Sequence, residues 1–123
     1  MDNNLEKEFV SYEQAVALKE LGFDKECFAT WNGESLDMSL QIPSDDYFTQ
    51  APLKQQVFRW FREKYEVYPT IMTETADYSL YFRFIAKGIP EWLSFSKIYY
   101  TYEEAENACI DKLIELAKQQ DNV

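Results

Sequence analysis

The sequence predicts an α+β domain: an antiparallel sheet of four to five strands with helices packed on one face, in the order α-β-β-α-β-β-β-α. Three observations carry this reading. Leu36 to Ile42 and Tyr78 to Ile85 alternate apolar and polar residues with period two, the pattern of a strand with one buried and one wet face. Three further segments repeat apolar residues at helical spacing, and two of them open on Ser or Thr with Gln or Glu three residues later. The strands fall in runs separated by these helices. At 123 residues and 46% apolar content the chain fits a single domain spanning 1–123, with residues 1–9 and 119–123 as frayed polar tails.

The first helix opens at Ser11, whose hydroxyl and Gln14 make a capping box, with Val10 and Ala15 placed as a hydrophobic staple. Ala15, Val16, Leu18 and Leu21 form its apolar side, and Gly22 is placed to end it in the left-handed conformation. Cys27 to Trp31 is rich in strand formers, and Asn32-Gly33 suits a two-residue hairpin turn into Leu36, Met38, Leu40 and Ile42. Pro43 to Gln50 is polar and reads as a loop. Pro52 suits the first turn of a second helix, whose stripe is Leu53, Val57, Trp60, Phe61 and Tyr65, with Lys54, Arg59 and Arg62 turned elsewhere. Tyr68-Pro69 ends that helix. Thr70 to Thr75 follows as a strand, then Tyr78, Leu80, Phe82 and Phe84 alternate with Ser79, Tyr81, Arg83 and Ile85. Lys87 to Pro90 is a turn before a further strand through Leu93, Phe95 and Tyr99. Thr101 and Glu104 start the last helix with a second capping box, and Glu103, Glu104 and Glu106 suit the positive end of its dipole. Ala105, Ala108, Cys109, Leu113, Leu116 and Ala117 supply its apolar stripe.

The formal charge is −10, unevenly placed. Residues 1–50 hold three lysines and eleven acids, residues 51–100 are slightly basic, and residues 101–123 are acidic again. An acidic body argues against direct nucleic-acid binding and against docking on an anionic membrane. It suits a basic protein partner, or serves solubility alone. No apolar run approaches a membrane span, and the polar residues 1–9 do not read as an export signal, so the expected location is the cytoplasm. Cys27 and Cys109 are then expected to be reduced thiols.

The chain has no histidine, which removes the commonest general base and the commonest zinc ligand. Its three glycines, Gly22, Gly33 and Gly88, are isolated, so no phosphate-cradling loop exists. Asp45-Asp46 could meet a divalent cation, but no third acid recurs at ligand spacing. The reading is therefore no catalytic residue, no metal and no cofactor. Aromatic residues make up 17% of the chain, more than a core of this size needs. Tyr81 and Arg83 fall on the strand face opposite Leu80, Phe82 and Phe84, and Trp92, Ser94, Ser96 and Ile98 could line that face from the next strand. Trp31, Tyr81, Arg83 and Trp92 are the expected anchors of a protein-binding patch, since Trp, Tyr and Arg dominate binding hot spots. Asp45 and Asp46 belong to the acidic surface that would meet the partner. A face of this kind can instead stack a nucleotide or small ligand, or be covered by a further layer or a second subunit.

Three stretches carry a resemblance. Phe9 to Phe23, Ala51 to Tyr65 and Thr101 to Cys109 resemble small uncharacterised proteins encoded by bacteriophages and prophages, and together cover about a third of the chain, spread from end to end. The resemblance carries no catalytic motif and brings no functional residue with it. It implies a phage accessory protein that binds a host or phage protein, for instance an anti-CRISPR-like inhibitor whose carboxylates meet the cationic channel of a nucleic-acid-handling protein.

Overall fold

The computed structural model describes residues 6–33, 35–37, 48–76, 79–88 and 97–121. The fold is α+β, and the chain divides into two compact units, residues 1–57 and 58–123. The helices are α1 (Tyr12–Glu20), α2 (Lys54–Tyr65) and α3 (Tyr102–Asp121). The strands are β1 (Ala29–Asn32), β2 (Ser35–Asp37), β3 (Phe48–Ala51), β4 (Val67–Ala76) and β5 (Ser79–Gly88). Among the described residues the strands form two antiparallel sheets rather than the expected single one, a three-stranded sheet ordered β2-β1-β3 and a two-stranded sheet of β4 and β5. The element order differs too. Phe48 to Gln50, the end of the loop expected from Pro43, lie in a strand, while the rest of that loop, most of the strand expected through Leu93 and Phe95 and the alternation from Met38 to Ile42 lie outside the described residues.

In the first unit, α1 begins and ends by local chemistry. Gln14 N–H donates to Ser11 Oγ at 3.1 Å, and Ser11 N–H donates to Gln14 Oε1 at 3.0 Å, closing both arms of the capping box. Val10 and Ala15, the staple pair, are both buried. At the other end Gly22 takes a φ of +100°. Its N–H donates to the Lys19 carbonyl and the Phe23 N–H to the Leu18 carbonyl, the two bonds of a Schellman stop. Phe23 and Leu18, the apolar pair that such a stop brings together, are buried. The N-terminal segment is not frayed at Phe9, which is buried and bridges Leu53. There, Val10 N–H donates to the Pro52 carbonyl and Lys54 N–H to the Glu8 carbonyl.

β1 pairs with β2 through Thr30↔Asp37, Trp31↔Leu36 and Asn32↔Ser35. Asn32 is thus the last paired residue of β1, and Gly33 follows it with φ +62°. Asn32, expected in the turn, instead pairs with Ser35, and Gly33 supplies a positive φ of the kind that hairpin turns need. The other edge of β1 takes β3, from Ala29↔Ala51 to Asn32↔Phe48. Thr49 and Ala51 are buried in this sheet, and α1 packs against β3. Pairing with β1 imposes the strand on residues without an alternating apolar pattern.

α2 starts at Lys54 rather than at Pro52, with Leu53 N–H donating to Gln56 Oε1 at 2.8 Å. Lys54 is buried, contrary to expectation, while Arg59 and Arg62 are exposed. In the second unit, Phe61, Trp60 and Tyr65 are buried and their rings contact one another, the Trp60–Phe61 centroids 5.2 Å apart. The helix ends at Tyr65, three residues before the expected Tyr68. Glu66, with φ +55°, turns the chain directly into β4. Pro69 lies inside β4 instead of ending a helix, which an edge strand allows.

β4 and β5 pair without interruption from Val67↔Gly88 to Ala76↔Ser79. The side chains of Val67, Ile71, Thr73, Leu80, Phe82 and Phe84 share one face, on which Val67 and Phe84 are buried and Phe82 meets Tyr102 of α3 edge-on at 5.9 Å. α3 packs against both strands. Its buried side is shifted from the expected stripe and comprises Ala105, Glu106, Cys109, Ile110, Leu113, Ile114 and Ala117, while the expected Ala108 and Leu116 are only half-buried. The second capping box forms its hydroxyl arm, with Glu104 N–H donating to Thr101 Oγ1 at 3.1 Å. The helix continues to Asp121, past the tail expected from residue 119.

Candidate functional site

The face of the β4–β5 hairpin turned away from Phe82 and Phe84 carries Tyr68, Thr70, Met72 and Glu74 from β4, and Tyr81, Arg83 and Ile85 from β5. Cross-strand pairing sets Glu74 opposite Tyr81 and Met72 opposite Arg83. Tyr99 extends the sheet by a single antiparallel bridge to Phe82, made by both reciprocal backbone bonds at 2.8 Å. The bridge is isolated, and its chain neighbours Ile98 and Tyr100 are exposed. Tyr100 is 69% exposed, Tyr68 54% and Ile98 40%. The result is an open surface of aromatic and aliphatic side chains with one acid and one arginine near its middle.

That charged pair is loosely made. Arg83 Nε lies 3.6 Å from Glu74 Oε2, outside hydrogen-bond range, and this buried Nε–H has no hydrogen-bond partner. The guanidinium also sits 6.0 Å from the centroid of the Tyr81 ring. The Tyr81 hydroxyl donates to the Glu74 carboxylate, which holds the phenol protonated above the usual tyrosine range, and Arg83 opposes that shift. A pair about one-third exposed contributes little to stability, about 0–1 kcal/mol. Its chemistry suits recognition: a planar cation over an aromatic ring, a carboxylate beside it, and apolar side chains around them.

Of the residues expected to form a binding patch, the structure brings together Tyr81 and Arg83. Trp92, Asp45 and Asp46 lie outside the described residues. Trp31 is a core residue and not a surface anchor: its ring is 7% exposed in β1, and its indole N–H donates to the Val10 carbonyl at 3.1 Å. Tyr12 meets it edge-on at 6.4 Å. A tryptophan in a short strand reads equally well as core or surface until its N–H partner is known. Sequence reasoning missed Glu74, Met72 and Tyr68. Only the register of β4 against β5 makes them neighbours of Tyr81 and Arg83.

The other perturbed acids are also held in their protonated forms. Burial pushes the Cys109 thiol up to about 12, with Glu106 adding to the shift, and burial alone does the same to Cys27. Cys109 is fully buried, whereas Cys27 is only half-buried and its S–H donates to the Lys25 carbonyl at 3.4 Å. Burial likewise raises Tyr99 and Tyr102. A nucleophilic thiol needs the opposite shift. Among the described residues no three Cys, Asp or Glu side chains gather as metal ligands, and no helix is long and apolar enough to cross a membrane.

No protein-family model, no curated protein and no solved structure matches this chain.

Proposed function

We propose that this chain is a non-enzymatic protein-binding domain that docks through the open face of the β4–β5 hairpin, with a basic, nucleic-acid-handling protein as its partner. The observation that carries the reading is the makeup of that face: Tyr68 and Tyr81 share it with the loose Arg83–Glu74 pair and with Met72 opposite Arg83, and the exposed Ile98 and Tyr100 flank the bridge at Tyr99. Tyrosine and arginine recur at binding hot spots because each buries a large rigid area and keeps a polar end to orient the contact. A partner that excluded water from Arg83 would strengthen its attraction to Glu74. The net charge of −10 would steer a cationic partner toward the domain. In its concrete form this is an accessory protein of phage or prophage type that occupies a cationic channel of a defence nuclease in the host cytoplasm. A nucleotide is a poorer occupant, because the Glu74 carboxylate sits against Arg83 and the chain carries a net charge of −10.

The test is a pull-down with the tagged full chain from host lysate, with and without nuclease treatment, beside Tyr81→Ala and Arg83→Ala. A stoichiometric protein partner that resists nuclease, is retained by the wild type, weakens with added salt and is lost from both variants supports the reading. A partner retained equally by both variants removes this face from the proposal, and binding insensitive to salt removes the electrostatic steering.

A further inference from the structure

The backbone of β4 carries a second recognition element. Phe82 donates its N–H to Tyr99 and accepts the Tyr99 N–H on its own carbonyl, so both backbone groups of Phe82 point away from β4. Thr73, directly opposite Phe82, is therefore in a non-hydrogen-bonded pair, and its own N–H and carbonyl point away from β5. The β4–β5 register is unbroken, so this phase repeats every second residue. Val67, Pro69, Ile71, Thr73 and Thr75 direct their backbone groups outward, while Tyr68, Thr70, Met72 and Glu74 bond to β5. Pro69, which has no N–H, falls in the outward phase, where it removes no ladder bond.

From Ile71 to Thr75 the outward edge thus offers three N–H groups and three carbonyls in strand geometry. Among the described residues no strand pairs with it, and Thr73 and Thr75 are exposed. Natural edge strands are commonly guarded by lysine, by short length or by a bulge. β4 has ten residues, no lysine and no bulge, and its one proline lies two positions before this stretch.

We propose that β4 is a docking edge for an extended basic segment of the partner, which adds to the sheet as a further strand. This rests on the reading of the chain as a protein-binding domain and adds a backbone contact to the side-chain face. A row of alternating N–H and carbonyl groups is complemented by another extended backbone. The charge of that backbone follows from what flanks the edge. Glu74 is the one acidic or basic side chain in β4, and its inward phase makes the residue opposite it on an added strand a close, non-hydrogen-bonded neighbour. A lysine or arginine there meets the carboxylate. A second copy of this chain would bring another −10 of charge to the same edge, which disfavours self-pairing.

The experiment is a backbone NMR titration of the full chain with a short capped peptide of alternating valine and lysine. Its controls are the same peptide N-methylated along its edge-facing amides and a peptide with glutamate in place of lysine. The proposal expects the amides of Ile71, Thr73 and Thr75 to shift and gain exchange protection, while those of Met72 and Glu74 keep the protection they have. Each main-chain bond removed should weaken binding about fivefold. Thr73→Pro, which copies the phase of Pro69, should bind about fivefold more weakly with the β4–β5 amides still protected. Should that variant unfold, the N-methylated peptide makes the same test on the unaltered protein. Absence of shifts at Ile71, Thr73 and Thr75, equal binding of the N-methylated or glutamate peptide, or concentration-dependent shifts at the edge without peptide would each overturn the proposal. Loss of partner capture by Tyr81→Ala without any response at the edge would leave the face reading standing and sink this one alone.

Discussion

Trp31→Phe separates a core role from a surface role at one position. The indole N–H is the hydrogen-bond donor to the Val10 carbonyl, and the Val10 N–H is bonded to the Pro52 carbonyl. Val10 is fully buried, so phenylalanine leaves its carbonyl without that donor in a dry site, a loss of about 1–3 kcal/mol. Trp31→Ala adds a cavity beside Tyr12 and should cost about 3–5 kcal/mol, a large part of the roughly 5–15 kcal/mol that holds a domain together. The assay is urea unfolding followed by far-ultraviolet circular dichroism, because the substitution itself removes a tryptophan emitter. With an m value of about 2 kcal/mol/M, a 2 kcal/mol loss lowers the midpoint by about 1 M. Partner capture by folded Trp31→Phe should match the wild type. A midpoint unchanged in both variants, together with lost capture, would refute the core assignment and restore Trp31 as an anchor.

Ser11→Ala should destabilise the chain by about 1 kcal/mol by opening the capping box of α1, and Gly22→Ala should cost about 1 kcal/mol or more because alanine is strained at φ +100°, both read from unfolding midpoints. Glu74→Gln should lower the titration of Tyr81 toward that of an ordinary tyrosine, measured by ultraviolet titration of the phenolate with Tyr81→Phe to identify the band. An unaltered curve would show that the carboxylate does not hold the phenol. Native Cys109 should resist thiol reagents at neutral pH and label rapidly once unfolded. Between its unfolded pKa near 9 and its folded pKa near 12, the folded state keeps a proton that the unfolded state has lost, so this thiol makes stability fall as pH rises through that window. Stability that rose over that range in wild type, relative to Cys109→Ser, would contradict the assignment.

The parts of the fold legible in the sequence are those whose causes are local. Ser11, Gln14 and Gly22 start and stop α1 through bonds that reach no more than five residues along the chain, and Thr101 with Glu104 starts α3 in the same way. β3 was illegible because Thr49 and Gln50 become strand residues only by lying against β1. The two-sheet arrangement was illegible for the same reason: period-two alternation shows that a strand has two unlike faces without naming its neighbours. At the candidate site, alternation placed Tyr81 and Arg83 on the correct side of β5, while Glu74 needed the pairing register and Trp31 needed its indole partner.

The joint at Glu66 has a consequence for how chains of this type can vary in length. One residue in the left-handed region separates the last residue of α2 from the first of β4, so the passage from helix to strand has no spare length. Strand faces alternate residue by residue. A single residue inserted or deleted here must be absorbed by the end of α2 or by sliding β4 one residue along β5, and that slide would send Tyr68 and Met72 toward α3 and turn Val67 and Ile71 outward. Insertions between α2 and β4 should therefore be poorly tolerated, and length variation in related chains should gather elsewhere. The distance from Tyr65 to Val67 would then identify a distant relative even where the side chains of the open face have been replaced.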